Sequence, residues 1–230
     1  MKESNRAHIH GVPGEHARAV GVMRAVWPLL CALFVCGFFS GAFFSRVGPG
    51  LAGLGFLVAG LFLLWAARDG MKSIDAYFKG ARGEEHVAVQ LGTLPNAFHV
   101  FHDCVFAGCG VDHVVVGPSG VFSVETKCWA GKVTCVQGDM RVNGMSPSRP
   151  PLAQARRASQ EVSRYLLEKM GTPRPCTPVL CFASDTFETD VSRVEDVIVC
   201  NAAVLPDLIV ANGGHLMASE IEQIVKMLEP

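Results

Sequence analysis

The chain has 230 residues, of which 50% are hydrophobic and 18% are charged, and its mean hydropathy is +0.31. This composition excludes a disordered or low-complexity protein and indicates that part of the chain lies in lipid. Twenty Lys and Arg against 21 Asp and Glu give a net charge of −1, which excludes a protein that coats nucleic acid with basic charge. One domain of ordinary size and a membrane segment fit this length.

The nine cysteines form neither a C-x-x-C pair nor a Cys/His spacing typical of a zinc site. Their number is odd, whereas the disulfide frameworks of small secreted proteins use an even, regularly spaced set. We therefore expect reduced, mostly buried thiols. Because reducing compartments keep thiols in this state, we also expect most of the chain to be intracellular.

Two apolar runs follow an N-terminal tail at residues 1–25. In the first run, 26–45, the only polar side chains are serines, and the second run, 47–67, carries no charge. Each run has about 20 residues, enough for a helix to cross about 30 Å of hydrocarbon. With a short turn at 45–50, the region 26–68 is predicted to be a transmembrane hairpin of two helices. A cleaved signal peptide and two buried helices of a soluble protein are the alternatives.

The distribution of Lys and Arg sets the expected orientation. The N-terminal tail carries four basic residues, the turn carries one, and the segment after the second run carries four. Because basic residues collect on the cytoplasmic side of membrane spans, we predict a multi-pass membrane protein with both termini and the domain at 70–230 in the cytoplasm. Gly37-x-x-x-Gly41 and Gly55-x-x-x-Ala59 would allow close helix packing, within the hairpin or in a homo-oligomer.

After the second apolar run the pattern changes from helical to strand periodicity. Residues 72–92 predict one helix that ends near Tyr77 and another that begins near Gly83, because Gly80 and Gly83 interrupt the apolar pattern. The later elements are predicted strands at 98–106, 111–116, 121–127, 132–136 and 140–143, a helix at 152–169, strands at 179–183 and 197–200, and helices at 203–211 and 218–229. This order predicts an α/β fold with a mixed central sheet flanked by helices.

Asp112, Glu125 and Lys127 are charged residues in strands that should be buried, where charged side chains are rare unless they have a partner. The intervening Gly117-Pro-Ser-Gly120 is typical of a hairpin turn. If the turn pairs residue 116 with 121, the same register places Asp112 opposite Glu125, with about 5 Å between their Cβ atoms. Glu125 and Lys127 are two residues apart on one strand, so they share a face.

Two carboxylates at this distance repel each other unless a cation or a shared proton intervenes. In one interpretation they bind a hard divalent ion such as Mg²⁺, and Lys127 polarises the attacking water or neutralises a scissile phosphate. In the other, the three residues form a salt-bridge ladder on an exposed sheet face. Spacing alone leaves both interpretations open. His113 follows Asp112 directly, so it faces the other side of the strand, and we expect it to pack rather than to act as a base.

Four motifs resemble the NERD (nuclease-related) domain, a family similar to the PD-(D/E)xK nuclease superfamily. They are Gly83-Glu84-x-x-Val87-x-x-x-Leu91, Val111-Asp-His-Val-Val-Val-Gly-Pro-Ser-Gly-Val121, Val124-Glu-Thr-Lys127 and Gly131-Lys132. The resemblance covers about residues 70–185 and implies a restriction-endonuclease-like core. The proline that gives the superfamily its name is absent, since Val111 precedes Asp112.

This resemblance also implies roles for individual residues. Asp112 and Glu125, with the carbonyl of Thr126, would bind Mg²⁺ or Mn²⁺, and Lys127 would be the catalytic lysine. Glu84 matches the family's helix glutamate, which helps to hold the metal or its waters, and Gln154 resembles the glutamine that begins the helix behind the site. The implied function is that of a membrane-tethered nuclease that hydrolyses phosphodiester bonds of nucleic acid, with DNA as the favoured substrate.

Charge gives a mixed indication about nucleic acid. A basic face beside Gln154 is predicted from Arg149, Arg156 and Arg157, but residues 69–230 together carry 14 Lys and Arg against 19 Asp and Glu. That balance argues against strong non-specific binding. One alternative function is therefore a catalytically inactive nuclease-fold module that binds nucleic acid or protein at the membrane. Another is a membrane adaptor whose hairpin is the functional part. Trp129 either stacks on a base or closes the edge of the core.

Overall fold

The structure is a computed structural model that describes residues 5–44, 49–136, 138–184, 186–189 and 191–229. The chain divides into two compact units. One comprises Met1–Glu15 and Gly80–Pro230, and the other comprises His16–Lys79. The N-terminal segment therefore belongs to the same unit as the residues that the sequence analysis assigned to the nuclease-like domain.

A mixed sheet of seven strands forms the centre of the larger unit. Its strands are β1 (His8–His10), β2 (His99–Phe106), β3 (Cys109–Gly117), β4 (Gly120–Lys127), β7 (Cys176–Phe182), β8 (Val191–Val194) and β9 (Val197–Asn201), in the spatial order β1-β2-β3-β4-β7-β9-β8. β2, β3 and β4 form an antiparallel meander, whereas β4, β7 and β9 are parallel. A separate two-stranded ribbon consists of β5 (Val133–Val136) and β6 (Asp139–Val142). The predicted mixed sheet of an α/β fold is confirmed.

Helices cover both faces of the sheet. The α-helices of the described chain are α1 (Glu15–Phe44), α2 (Pro49–Leu91), α3 (Pro151–Met170), α4 (Leu205–Ala211) and α5 (Ala218–Leu228). On one face, Val162 of α3 and Ile224 of α5 belong to the same buried cluster. On the other, Leu91 at the end of α2 and Ile209 of α4 are buried together. The apolar stripes of these helices thus position α3 and the end of α2 on opposite sides of β4.

The predicted break within residues 72–92 is wrong, because α2 continues through Gly80 and Gly83 to Leu91. A glycine inside a helix costs about 1 kcal/mol relative to alanine, which is why the pattern predicted an interruption. Tertiary packing explains the outcome. A Cβ atom added at Gly83 would lie 2.7 Å from Cβ of Cys128, so the missing side chain allows the helix to approach the end of β4 closely.

One stretch of helix, Glu15–Gly41, is long and apolar enough to cross a membrane by length and composition. A signal sequence near the N-terminus would satisfy the same criterion. In the second predicted span, the apolar stretch Gly53–Trp65 is shorter than the ~17–25 residues that a spanning helix requires. Residues 45–48 of the predicted turn lie outside the described residues. The described chain therefore has one candidate membrane helix rather than the two that were predicted.

Candidate functional site

The hairpin of β3 and β4 brings two carboxylates together. Val116 pairs with Val121, so the register predicted from the turn is confirmed. Continued toward the open end of the hairpin, this register places Asp112 opposite Glu125. Asp112 Oδ2 accepts a hydrogen bond of 2.7 Å from the backbone N–H of Thr126, which joins the two strands at this position.

Lys127 forms an ion pair with Glu125 at the end of β4. The distance between Lys127 Nζ and Glu125 Oε1 is 2.5 Å, and the two side chains are only 19% and 13% exposed. Thr126, between them, is buried, and its Oγ1 has no hydrogen-bond partner within the described part of the chain. The end of β4 therefore combines a shielded charge pair with an unsatisfied polar atom.

Glu84 approaches this pair from α2. Burial, followed by the nearby Asp103 and Glu125, raises the pKa of the Glu84 carboxyl to about 7, against the opposing effects of Lys127 and of a hydrogen bond from the backbone N–H of Gly14. The N-terminal segment thus supplies a hydrogen-bond donor to the Glu84 carboxylate. At neutral pH the Glu84 carboxyl is partly protonated, which makes it able to hold or release a proton.

Asp112 is a second carboxyl of the cluster with a raised pKa. Burial is the largest cause that raises its pKa well above the ordinary value, and the charges of Glu125 and Glu84 raise it further. The hydrogen bond from the Thr126 N–H and the charge of Lys127 act in the opposite direction. The carboxyl groups of Glu84, Asp112 and Glu125 and the ammonium group of Lys127 thus share a small, poorly solvated region.

Asp103 is an acidic residue of this region that the sequence analysis missed. The register of β2 and β3, in which Cys104 pairs with Val111, places Asp103 opposite Asp112. Its backbone has a φ of 52°, a left-handed conformation uncommon in a strand. The sequence feature that could have identified Asp103 is the presence of an aspartate in the strand at 99–106, whose other residues are apolar or aromatic. Its charge also contributes to the raised pKa of Glu84.

The donor atoms of this site fit a hard divalent cation. Within the described residues, no group of three or more His, Cys, Asp and Glu side chains forms a ready-made metal site. Carboxylates of Asp112 and Glu125 with the backbone carbonyl of Thr126 nevertheless supply the oxygen ligands that Mg²⁺ and Mn²⁺ prefer, with water completing the coordination. Burial first, and the neighbouring carboxylates second, raise the pKa of Asp112, and a bound cation would offset the repulsion between these carboxylates.

A cleft of about 420 Å³ lies beside this cluster, and Lys127 lines it. Gln154 from the first turn of α3, Trp129 and Arg149 also line the cleft. The structure therefore brings the predicted Gln154 and Arg149 to the same cleft as Lys127.

The other two predicted arginines lie elsewhere. Arg156 Nε donates a hydrogen bond of 2.6 Å to Asp196, and a second guanidinium nitrogen pairs with Glu195. The bond to Asp196 is the main cause that raises the pKa of Arg156. Arg157 lies near Cys109, where its charge lowers the thiol pKa against the larger, raising effect of burial. Of the three arginines, Arg149 is thus the one that lines the cleft.

His113 is fully buried, and the prediction that it packs inside the domain is confirmed. Its Nδ1 lies 2.8 Å from Nδ1 of His102 on the neighbouring strand β2. Burial, and secondly the neighbouring His102, lowers the pKa of His113 well below its ordinary value. Both rings therefore form a neutral, hydrogen-bonded pair between β2 and β3.

Comparison with protein families shows that residues 79–183 match the family described as NERD, the nuclease-related domain. No curated protein matches the chain, and no solved structure does. The chain is thus similar to the nuclease-related domain over this segment, which confirms the resemblance carried by its motifs. The matched residues include Glu84, Asp112, Glu125, Lys127 and Gln154.

Proposed function

We propose that the chain is a membrane-attached, divalent-metal-dependent nuclease that hydrolyses phosphodiester bonds of nucleic acid, with DNA as the favoured substrate. The observation that carries this proposal is the position of Asp112 opposite Glu125, next to Lys127, inside a segment similar to the nuclease-related domain. A restriction-endonuclease-like core is part of the proposal. The antiparallel meander followed by parallel strands, with helices on both faces, supports it.

Asp112, Glu125 and the carbonyl of Thr126 would hold Mg²⁺ or Mn²⁺, and Glu84 would help to orient its water ligands. When bound, the cation supplies a Lewis acid that activates a water molecule and stabilises negative charge on the scissile phosphate. Cation binding would also offset the repulsion among these carboxyl groups, which adds to the effect of burial in raising the pKa values of Asp112 and Glu84.

Lys127 would stabilise the charge that develops on the phosphate. Its ammonium group is fixed by the ion pair with Glu125 and also lines the adjacent cleft, so a small rotation would direct it to a phosphate oxygen. In a shielded site such a charge acts more strongly than in water. Glu84, whose pKa is about 7, can exchange a proton near neutral pH. Gln154, which also lines the cleft, can donate a hydrogen bond from its amide to the substrate.

Nucleic acid would be held mainly by Arg149 at the cleft, with a contribution from Arg157 near Cys109. Arg156 was also predicted to contact nucleic acid, but its ion pairs with Glu195 and Asp196 balance its charge. We therefore expect Arg156 to contribute less than the other two arginines. Phosphate contacts of this kind give affinity that falls with salt and carries little sequence preference.

The candidate membrane helix Glu15–Gly41 supports attachment to the bilayer. We propose that the apolar segment after it completes a two-helix hairpin, with both termini and the catalytic domain in the cytoplasm, as the distribution of Lys and Arg predicts. The small-residue motifs in the two helices would allow hairpins from two chains to associate as a homo-oligomer.

One observation favours an inactive nuclease-fold module as the second candidate. Lys127 and Glu125 already satisfy each other's charge, as a structural ion pair would. In that case the domain would bind nucleic acid or protein at the membrane without hydrolysis.

A cleavage assay separates the two functions. Full-length protein in detergent is incubated with plasmid, single-stranded DNA and RNA, in Mg²⁺, Mn²⁺ or EDTA. The nuclease is expected to cleave only with a divalent ion and to lose at least 100-fold of its rate in Asp112→Asn. Asp139→Asn, at an exposed position of β6, is the matched control and should keep full activity. Cleavage that is insensitive to EDTA, or its absence with every substrate, would refute the nuclease proposal.

A further inference from the structure

The cleft next to Lys127 has the size and the chemistry of a ligand site. Its volume of about 420 Å³ lies within the range of roughly 300–1,000 Å³ that is typical of small-molecule clefts. Its wall combines an aromatic ring, an apolar side chain, an amide, a hydroxyl and a cation, contributed by Trp129, Val142, Gln154, Ser148 and Arg149. Lys127 lines this cleft and also pairs with Glu125 in the carboxylate cluster. An occupant of the cleft would therefore lie directly beside the ammonium group that is proposed to contact the scissile phosphate.

Trp129 is a rigid aromatic surface in this wall. Its ring packs on Phe182 of β7, with ring centroids 5.6 Å apart and planes inclined by 51°. Trp129 also contacts the buried cluster that contains Phe182 and Val133. The core thus holds one side of the indole, while the ring remains partly exposed and lines the cleft. A tryptophan that served only to close the core would have no reason to line an open cavity.

The groups around the ring match the edges of a nucleobase. Unpaired bases are recognised by stacking on aromatic rings and by hydrogen bonds to their polar edges. The Gln154 amide offers both a donor and an acceptor, and the Ser148 hydroxyl does the same. Arg149 is exposed at the rim and can pair with a flanking phosphate.

We propose that this cleft binds one unpaired nucleobase stacked on Trp129, so that the substrate is single-stranded nucleic acid or an unpaired strand end. This assignment of substrate class rests on the proposed nuclease function. A base inside a duplex is stacked and paired, and it reaches such a cleft only if it is flipped out of the helix at a cost in free energy.

The charge of the chain supports stacking as the main source of affinity. A net charge of −1 gives the protein little overall attraction for a polyanionic phosphate backbone. Arg156 and Lys132 are moreover paired with acidic residues. Binding that depends on stacking is expected to retain affinity in salt better than binding that depends on phosphate contacts alone.

Binding measurements test the proposal. Fluorescein-labelled 12-mers of thymidine and of uridine, and a DNA duplex of equal length, are titrated with the full-length protein in detergent and EDTA, with fluorescence anisotropy as the readout. We expect at least tenfold tighter binding of the single strands than of the duplex. The thymidine and uridine probes differ in the sugar and in the 5-methyl group of the base, and together they test single strands of both DNA and RNA. Trp129→Ala is expected to weaken single-strand binding at least fivefold, whereas Trp129→Phe keeps most of the affinity.

Trp65→Ala is the matched control, because Trp65 is 64% exposed and lies in the apolar part of α2. It should leave binding unchanged. Thermal melting establishes that each variant is folded. If Trp129→Ala does not fold, Trp129→Leu takes its place, because leucine keeps an apolar contact with Phe182 but removes the aromatic face, and it should weaken single-strand binding at least fivefold. Equal affinity for duplex and single strands, or unchanged affinity in a folded Trp129→Ala protein, would overturn the proposal.

Parallel cleavage assays in Mn²⁺ separate this inference from the proposed function. Single-strand binding that depends on Trp129 without any cleavage would support the base site and refute the nuclease. Cleavage of duplex DNA that depends on Asp112, at the same rate in Trp129→Ala, would support the nuclease and refute the base site.

Discussion

Lys127 Nζ lies 2.5 Å from Oε1 of Glu125, two residues earlier on the same strand. Among the residues that the structure describes, the opposed Asp112 has no ion pair of its own, and it accepts a hydrogen bond from the N–H of Thr126. This arrangement gives the metal site and the structural ion pair different consequences. In a metal site, the negative charge that Lys127 does not balance attracts a cation. In a structural ladder, Lys127 alone stabilises both carboxylates.

Divalent ions are expected to stabilise the wild-type protein. At a Mg²⁺ or Mn²⁺ concentration tenfold above Kd, binding to the native state should raise Tm by about 3–6 °C. Asp112→Asn and Glu125→Gln should remove most of this increment, because each removes one carboxylate ligand. In EDTA the Asp112→Asn protein should be at least as stable as wild type, since a like-charge pair is gone while Asn can still accept the Thr126 hydrogen bond.

Thermal melting of the full-length chain in detergent, in Mg²⁺, in Mn²⁺ or in EDTA, measures the effect. Asp139→Asn is the control variant and should respond to Mg²⁺ as the wild type does. The metal site would be excluded if the wild-type Tm does not change with divalent ions and the Asp112→Asn protein is less stable than wild type. The cluster would then be a structural set of ion pairs.

Replacement of Lys127 distinguishes chemistry from structure. Lys127→Met keeps the length of the side chain but removes its charge. If Lys127 acts on the phosphate, cleavage should fall at least 100-fold, while the rise in Tm with Mg²⁺ remains. If the ion pair is structural, the loss of its partner should destabilise the protein by about 1–3 kcal/mol in EDTA, because Glu125 stays shielded and unpaired. Chemical denaturation and a cleavage assay on the same preparation give the two quantities.

Glu84 should make the protein less stable as pH rises through neutrality. Burial raises its pKa from 4.5 to about 7, so the folded state binds more protons than the unfolded state between these values. The free energy of unfolding therefore decreases between pH 4.5 and about 7. Glu84→Gln should remove this decrease and should be more stable than wild type at pH 8, by on the order of 1–3 kcal/mol.

Urea denaturation in EDTA between pH 5 and pH 8 provides the test of Glu84. Glu222→Gln, at an exposed position of α5, is the control and should follow the wild-type curve. If Glu84→Gln also follows the wild-type curve, Glu84 does not titrate in this range and the proposed proton exchange has no basis.

The buried His102–His113 pair should have the opposite pH dependence. Burial lowers the pKa of His102 from 6.5 to about 4, and burial also lowers the pKa of His113 well below its ordinary value. The unfolded state therefore binds more protons between about pH 4 and 6.5, and stability falls as pH decreases through this range. Replacing both histidines by valine, which suits a buried strand, should reduce this loss of stability at acidic pH. If the double variant loses as much stability at acidic pH as the wild type does, other groups cause that loss.

The orientation of the termini distinguishes one membrane span from two. A two-helix hairpin places both termini on the cytoplasmic side, as the counts of Lys and Arg predict. A single span at Glu15–Gly41 places the termini on opposite sides. Reporters that are active only in the cytoplasm, fused at residue 5 and after Pro230, should both be active if the hairpin forms. Activity at one terminus alone would establish a single span.

Local sequence determined the hairpin of β3 and β4. Four turn residues with two glycines, between two apolar runs, leave little freedom in how the strands pair, so Asp112 could be placed opposite Glu125 by counting residues. The helix α3 was predictable for the same reason, because its apolar stripe and the Gly171 at its C-terminal end are local features. Most of the strands followed from their apolar runs.

Only the tertiary structure decided the contacts that join distant segments. β1 pairs with β2, which lies about 90 residues later in the chain. The helix α2 continues through Gly83 because the absence of a side chain there leaves room for Cys128. The backbone N–H of Gly14 donates a hydrogen bond to the Glu84 carboxylate. Arg156 donates a hydrogen bond to Asp196, 40 residues later in the chain, instead of lining the cleft. Trp129 does line the cleft. The physical reason is that periodicity and turn chemistry report on each segment's own backbone. Which side chains meet depends instead on how the packed layers exclude water and balance charge across the whole unit.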